Sequence, residues 1–226
     1  MSKKVSMMIR TVLFDYGGVL AEEGFKAGLF HIARNNGQNP DGLIRTAFSL
    51  VYELGFVTGM TRADRFWSAL RDQTGIAGED EELTEAVLSR FVLRPWMLET
   101  VRILRENGVL AGILSDQCHW LDELNDRDGF FSSFDFVFNS FHTGRTKKDS
   151  GTFAFVLEKI GTTPDQAVFV DDHRAHVERA RAQGLNAIFF TNRSEFFEGL
   201  RRFFPEINFA SAEQFKSQNP SVDNTD

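Results

Sequence analysis

The sequence predicts an α/β fold: a parallel sheet of about five core strands with helices on both faces, plus a small all-helical unit. Three observations carry the expectation. Five short apolar runs have the length and composition of buried strands: one ending at Asp15, then Val109–Leu114, Phe134–Asn139, Ala167–Val170 and Ala187–Phe190. Helical patterns alternate with the later runs, which makes βαβ units. Between about Ala21 and Arg94 no buried-strand pattern occurs, and only helix signals remain.

The first run opens the sheet. In Thr11-Val12-Leu13-Phe14-Asp15-Tyr16-Gly17-Gly18-Val19-Leu20 an apolar, β-branched stretch ends abruptly in a carboxylate. Asp15 is expected at the carboxyl end of its strand, where open α/β sheets bind ligands. Gly17 and Gly18 let the backbone turn sharply and approach a ligand with no Cβ in the way.

The helical unit follows. Phe25 to Asn36 ends at Gly37, and Asp41 to Leu54 follows Pro40 and ends at Gly55. Thr61 reads as an N-cap, with Asp64 three residues on, ahead of RFWSALRDQ and Gly75; Glu81 to Arg90 is the fourth helix. Phe25, Phe48, Phe56, Phe66 and Trp67 read first as the core of this bundle. Pro95 suits the first turn of the next helix, WMLETVRILREN, closed by Gly108. Gly151–Ile160 and Arg174–Gln183 are the later helices. The chain divides into an α/β core over 1–20 and 95–210, a helical unit over 21–94, and a polar tail over 211–226 expected to fray. An insert placed straight after the first strand lies over the carboxyl edge of the sheet, hence over Asp15, as a lid.

Composition narrows the function. The chain has 226 residues, 42% of them apolar, and 24 are Phe, enough for an aromatic-rich core. A formal net charge of −7 argues against a nucleic-acid or membrane surface, while leaving room for a locally positive site that takes a small anion. Cys118 is the only cysteine, so no internal disulfide forms, which fits a reducing cytoplasm. The basic start, MSKKVSMMIR, runs into the first strand and is read as part of the domain rather than as a signal peptide. No apolar run approaches the length of a membrane span.

Three more polar positions lie where strands end: Ser115 after VLAGIL, Lys147 in the loop FHTGRTKKDS, and Asp171-Asp172 after AVFV. Each has a plain structural alternative, as a helix cap or a solvated charge. Taken together they specify a chemistry. Converging carboxylates repel unless a divalent cation joins them, and oxygen-only ligands point to Mg²⁺. A nearby Lys, a Ser hydroxyl and backbone N–H groups around Gly17 and Gly18 suit the oxygens of a phosphate. An Asp set in line with that phosphate is a candidate nucleophile.

This ordered set resembles the haloacid dehalogenase-like hydrolase superfamily. FDYGGVL resembles its first signature and GILSDQ its second. GRTKKDSGTF resembles the G-x-x-K-P-D-P-x-x-F stretch that carries its lysine, with Lys148 in place of the usual Pro. VFVDDHRAHVERARAQGL resembles the double-Asp metal signature, and GFVTGMTRADRFWSAL a piece of the helical cap. The resemblance runs from about residue 9 to 192. It implies a Rossmann-like core with a cap that chooses the substrate. It implies Asp15 as nucleophile, forming an aspartyl-phosphate, with Ser115 and Lys147 binding the transferring group alongside Gly17, Gly18 and Asp116. It implies Mg²⁺ held by the Asp15 carboxylate, the Gly17 carbonyl and Asp172, with Asp171 as a secondary ligand or a partner of Lys147.

One departure matters. Phosphatases of this family usually carry a second Asp two residues after the nucleophile, as the acid and base of the reaction; here that position is Gly17. Such help is worth roughly 10²–10⁴-fold. Asp116, His119 and His142 are the neighbouring candidates to replace it. The reading that results is a Mg²⁺-dependent phosphomonoester hydrolase acting on a small phosphorylated metabolite in the cytoplasm. A metal-free dehalogenase of 2-haloacids is one alternative, and a weakly catalytic phosphate-binding or regulatory protein is another.

Overall fold

The structure is a computed structural model and describes residues 8–215. The basic start through residue 7 and the polar end from residue 216 lie outside the described residues.

Five strands, β1 (Thr11–Phe14), β2 (Leu110–Ser115), β3 (Phe136–Asn139), β4 (Ala167–Asp171) and β5 (Asn186–Phe189), form one sheet in the order β3-β2-β1-β4-β5. All pairings are parallel. Among them, β1 takes the centre, with all four of its residues buried. Its side chains alternate as a pleat requires: Val12 and Phe14 enter one core, and Leu13 enters another with Phe153, Phe169 and Val177. Phe14 stands opposite Ile113 on one side and Val170 on the other. Asp15, Ser115 and Asp171 therefore reach the same edge. Strand order reverses between β1 and β4, so the crevice outside their carboxyl ends is the place where such sheets bind ligands.

Helices α1 (Gly24–Asn35), α2 (Pro40–Glu53), α3 (Ala63–Thr74) and α4 (Asp80–Leu88) follow β1, with a tight turn at Phe56–Thr58. They pack together as a helical unit. Its centre is aromatic: Phe56 stacks on Phe66 with ring centres 4.9 Å apart. The Trp67 indole N–H donates to the Thr84 hydroxyl at 2.9 Å. Phe48, expected in this core, is instead 40% exposed. Two chain crossings join the unit to the sheet. Glu22 N donates to the Val92 carbonyl and Arg94 N to the Leu20 carbonyl, both at 2.9 Å.

The remaining helices are α5 (Pro95–Glu106), α6 (Trp120–Asp128), α7 (Ser140–Thr143), α8 (Thr152–Ile160), α9 (Arg174–Ala182), α10 (Arg193–Phe203) and α11 (Ala210–Glu213). The strands and the anticipated helices stand within about two residues of expectation. Thr61 does not cap α3. Its hydroxyl donates to the Leu54 carbonyl at 2.5 Å, and Arg62 occupies the cap position without a side-chain bond. The polar tail begins later than 211. Ala212 is fully buried, and Ser211 donates to Glu99 at 2.7 Å, so α11 is docked rather than frayed.

Candidate active site

Lys147 is the pivot of the site. The chain leaves β3, makes the single turn α7, and then closes an Asp-based turn in which Asp149 accepts from Thr146 N at 2.8 Å. Lys147 N donates to Asp116 Oδ1 at 2.8 Å, and Arg179 donates to the Lys147 carbonyl at 3.0 Å. With its backbone fixed on both sides, the side chain runs inward and is only 1% exposed. Its Nζ lies 2.8 Å from Asp15 Oδ1 and 2.7 Å from Asp171 Oδ2.

Each carboxylate has a different set of partners. Asp15 Oδ1 also accepts from Tyr16 N at 2.7 Å, while Oδ2 has no hydrogen-bond partner among the described residues. Asp171 is saturated: Oδ1 accepts from His173 N at 2.6 Å, and Oδ2 meets both Lys147 and His176 Nδ1, the latter at 3.2 Å. Asp172 comes from the residue after β4 and lies against Gly18. Gly18 has φ +80, and a Cβ built there would overlap the Asp172 carboxylate. Any other residue at 18 would thus be strained and would push Asp172 aside.

Charge is unbalanced here. Burial pushes the Asp15 carboxyl well above its usual range, with Lys147 opposing and Asp171 and Asp172 adding to the rise. Burial and then Asp171 also raise Asp172. Asp171 goes the other way, to about 2: burial alone would raise it, but Lys147 and His176 together more than compensate. Burial would lower Lys147, yet Asp15, Asp171 and Asp116 hold its ammonium above the ordinary value. One lysine cannot neutralise this set. Asp15, Asp171 and Asp172 each offer an oxygen within 4.8 Å of the others, a donor set of hard oxygens that suits a divalent cation.

A cavity of about 750 Å³ opens over the cluster. Its floor includes Asp15, Gly17, Ser115, Asp116, Lys147 and Asp172. Phe25 of α1, Phe48 and Tyr52 of α2, and Phe56 form its roof, so the helical unit does stand over Asp15. Asp171 lies behind Lys147 and lines no part of the cavity.

Of the expected site residues, Asp15, Gly17, Ser115, Asp116, Lys147 and Asp172 line the cavity, while Gly18 lies against Asp172 and, like Asp171, does not line it. Of the three candidates to replace an acid at Gly17, only Asp116 faces the cavity. His119 lines a separate groove with Glu123, and His142 pairs with Asp122 on the surface at 2.8 Å. Asp116 Oδ2 is buried without a hydrogen-bond partner, and burial raises this carboxyl. The sequence reading missed Glu23, Tyr52, His173 and His176, which also line the cavity. His173 and His176 sit inside the double-Asp stretch, where a His beside two carboxylates was a legible signal. Tyr52 and Glu23 offered none, because only the packing of α1 and α2 brings them over the sheet.

Comparison with known proteins agrees with this geometry. A model of the haloacid dehalogenase-like hydrolases matches residues 9–184. The chain is 25% identical over 196 residues to phosphoglycolate phosphatase of Pseudomonas putida, covering 80% of this chain and 69% of that protein. It is 24% identical over 205 residues to bifunctional epoxide hydrolase 2 of Rattus norvegicus, matching 80% of this chain but spanning only 36% of that longer protein. A HAD family enzyme of Bacteroides thetaiotaomicron, crystallised with magnesium and inorganic phosphate, superposes with a TM-score of 0.66 at 21% identity, over 84% of this chain and 99% of that one. L-2-haloacid dehalogenase of Xanthobacter autotrophicus gives 0.60 at 20% identity, over 88% and 84%. These structural likenesses show a shared fold. With the family match spanning most of the chain, and Asp15, Ser115, Lys147 and the double Asp gathered at one sheet edge, the protein belongs to the haloacid dehalogenase-like hydrolases.

Proposed function

We propose that the protein is a Mg²⁺-dependent phosphomonoesterase acting on a small phosphorylated molecule. The observation that carries this is the excess of carboxylate at the cluster, two of the groups buried and two less so. Asp15, Asp171, Asp172 and Asp116 surround one lysine, an arrangement that needs a second cation and then favours an anionic substrate. The likeness to a phosphoglycolate phosphatase supports the same reading. Asp15, Asp172 and the Gly17 carbonyl would hold the metal. Asp171, whose oxygens are already engaged, serves as the partner of Lys147. When bound, Mg²⁺ offsets negative charge on the carboxylates and on the phosphoryl oxygens.

The chain's own residues supply the rest. Asp15 Oδ2 attacks phosphorus, an acyl-phosphate bond forms, and the ester P–O bond breaks with its electron pair leaving on the alcohol oxygen. Lys147 and the Ser115 hydroxyl bind the transferring group. Water then cleaves the acyl phosphate and restores Asp15. Gly17 offers no proton for the departing oxygen; Asp116 is the one anticipated replacement that faces the cavity. The helical unit acts as a cap that selects the substrate.

A screen of phosphate monoesters with Mg²⁺ and with excess chelator tests the reading. Turnover with Mg²⁺, abolished by chelator, is expected. Turnover of a 2-haloacid that survives chelation would replace it with the dehalogenase reading, whose members share this fold. No turnover of either class, with phosphate still bound, would make this a binding protein.

A further inference from the structure

We propose that the roof of the cavity holds a second anion subsite, formed by Lys148, which lies over the Tyr52 ring, and Arg45, two turns earlier on α2. The substrate is then a phosphate ester with an apolar or planar body that ends in a carboxylate or a second phosphate. This deepens the phosphatase reading, and rests on it only for the identity of the first anion.

Three observations converge. The first is charge. Lys147 is paired with Asp15 and Asp171 and serves the first anion, whereas Lys148 and Arg45 line the same cavity and make no ion pair among the described residues. The Lys148 ammonium lies over the Tyr52 ring, 3.1 Å from its centre, across the boundary between the sheet loop and α2. Burial lowers this ammonium and Asp116 opposes the fall, but no ion pair closes between them, so the head stays at the rim of the cavity open to an anion. Glu23 shares the wall, but its side chain is occupied in capping α1 through Lys26 N at 2.7 Å.

The second is register. Arg45, Ser49 and Tyr52 follow i, i+4, i+7 on α2, so they share a face, and all three line the cavity. Arg45 and Tyr52 are about 10 Å apart along the axis. Long Arg and Lys side chains span such a gap with an anion between them. The third is room. A cavity of about 750 Å³ suits a ligand well beyond a phosphorylated two-carbon acid, and Phe25 and Phe48 offer apolar faces to its middle. Lys148 stands where the matching stretch usually has Pro, which has no charge to offer.

Binding can be read without turnover. Calorimetry in Mg²⁺ buffer would compare three non-hydrolysable benzylphosphonates: one carrying a 4-carboxymethyl group, its neutral 4-carbamoylmethyl isostere, and a 4-phosphonomethyl analogue. At least one doubly anionic ligand is expected to bind about tenfold tighter than the amide. Whether carboxylate or phosphonate gains more identifies the second group. In Lys148→Met and Arg45→Met the preference should shrink, and in the double variant vanish, while Arg34→Met outside the cavity keeps it. Equal affinity for all three ligands in the wild type, or a preference unchanged in the double variant, would overturn the subsite. If the preference holds but no ester is hydrolysed, the subsite stands and the phosphatase reading falls.

Discussion

Lys147 is confined between two carboxylates with almost no water around it, and few substitutions in the molecule should be as costly. Lys147→Ala leaves Asp15 and Asp171 facing each other; we expect a loss of about 3 kcal/mol in urea unfolding and loss of hydrolysis. Lys148→Ala should leave unfolding nearly unchanged, since its side chain lies at the exposed rim. Equal destabilisation by the two would contradict the geometry. Asp15→Asn should keep the fold and abolish both turnover and covalent phosphate capture in quenched samples. At residue 17 the structure makes a decisive substitution available. Gly17 does not use the left-handed region, and a Cβ there would lie 3.3 Å from Phe91 Cε1, a contact a small ring shift relieves. Without an acid at that position, wild-type protein should cleave aryl phosphates much faster than alkyl ones and show a burst. Gly17→Asp should raise alkyl turnover more than aryl. Similar alkyl and aryl rates in the wild type would mean another proton donor operates, and Asp116→Asn would then be the variant to measure. These residues were legible because strand, carboxylate and glycines fall in one short stretch. The role of Asp171 was not: two readings of it fit the sequence, and its contacts with Lys147, His173 N and His176 are what favour the lysine-partner reading.

The joint between sheet and helical unit is the element where position and chemistry meet. Arg94 donates to the carbonyls of Gly18 and Val19 at 2.5 and 2.8 Å, and its other nitrogens pair with both oxygens of Glu22 at 3.0 and 2.9 Å. It therefore fixes the loop that carries Gly17 and presses on Asp172. Arg94→Met should lower kcat and Mg²⁺ affinity with little change in KM, and Arg94→Lys should not restore them, because an ammonium cannot make the planar fork. A change confined to KM would assign Arg94 to the roof instead. At the far side of the sheet, the carboxyl of Glu99 is held at about 2, chiefly by its bond from Arg102 and also by Ser211 of α11. A depressed carboxylate stabilises the fold above its ordinary pKa of 4.5, and that contribution is lost as pH falls towards 2. Glu99→Gln should flatten the acid arm of a stability–pH curve over that interval. Element reading from sequence worked where apolar runs were continuous. It overlooked α6, whose buried Trp120, Leu121 and Leu124 sit among acids and amides, and α10, despite Phe196, Phe197 and Leu200 at helical spacing.

At the scale of the whole molecule, the floor of the cavity was legible and the roof was not. Parallel topology alone carries the ends of β1, β2 and β4 to one edge, so an ordered set of polar residues implies a site. Nothing local says that Tyr52 will face Asp116; that depends on how four helices pack. The joint itself allows a direct test. Leu20 and Arg94 are hydrogen-bonded neighbours, and Ala21 bridges Leu93 in antiparallel fashion. Replacing residues 23–91 by a short Gly/Ser linker should leave a cooperatively folding sheet by circular dichroism, with the preference for a second anion lost and the aryl-over-alkyl preference kept. The exposed apolar surface under Trp120 will need a polar substitution for solubility. Failure to fold with that substitution in place would show that the sheet depends on the helices above it. Because the two ends of the insert meet, the length of what lies between them matters little: closure entropy grows only with the logarithm of loop length. If the truncated sheet folds, an entire roof becomes graftable at Ala21 and Leu93 without altering the strand register, and new specificities are open to recombination as well as to point mutation.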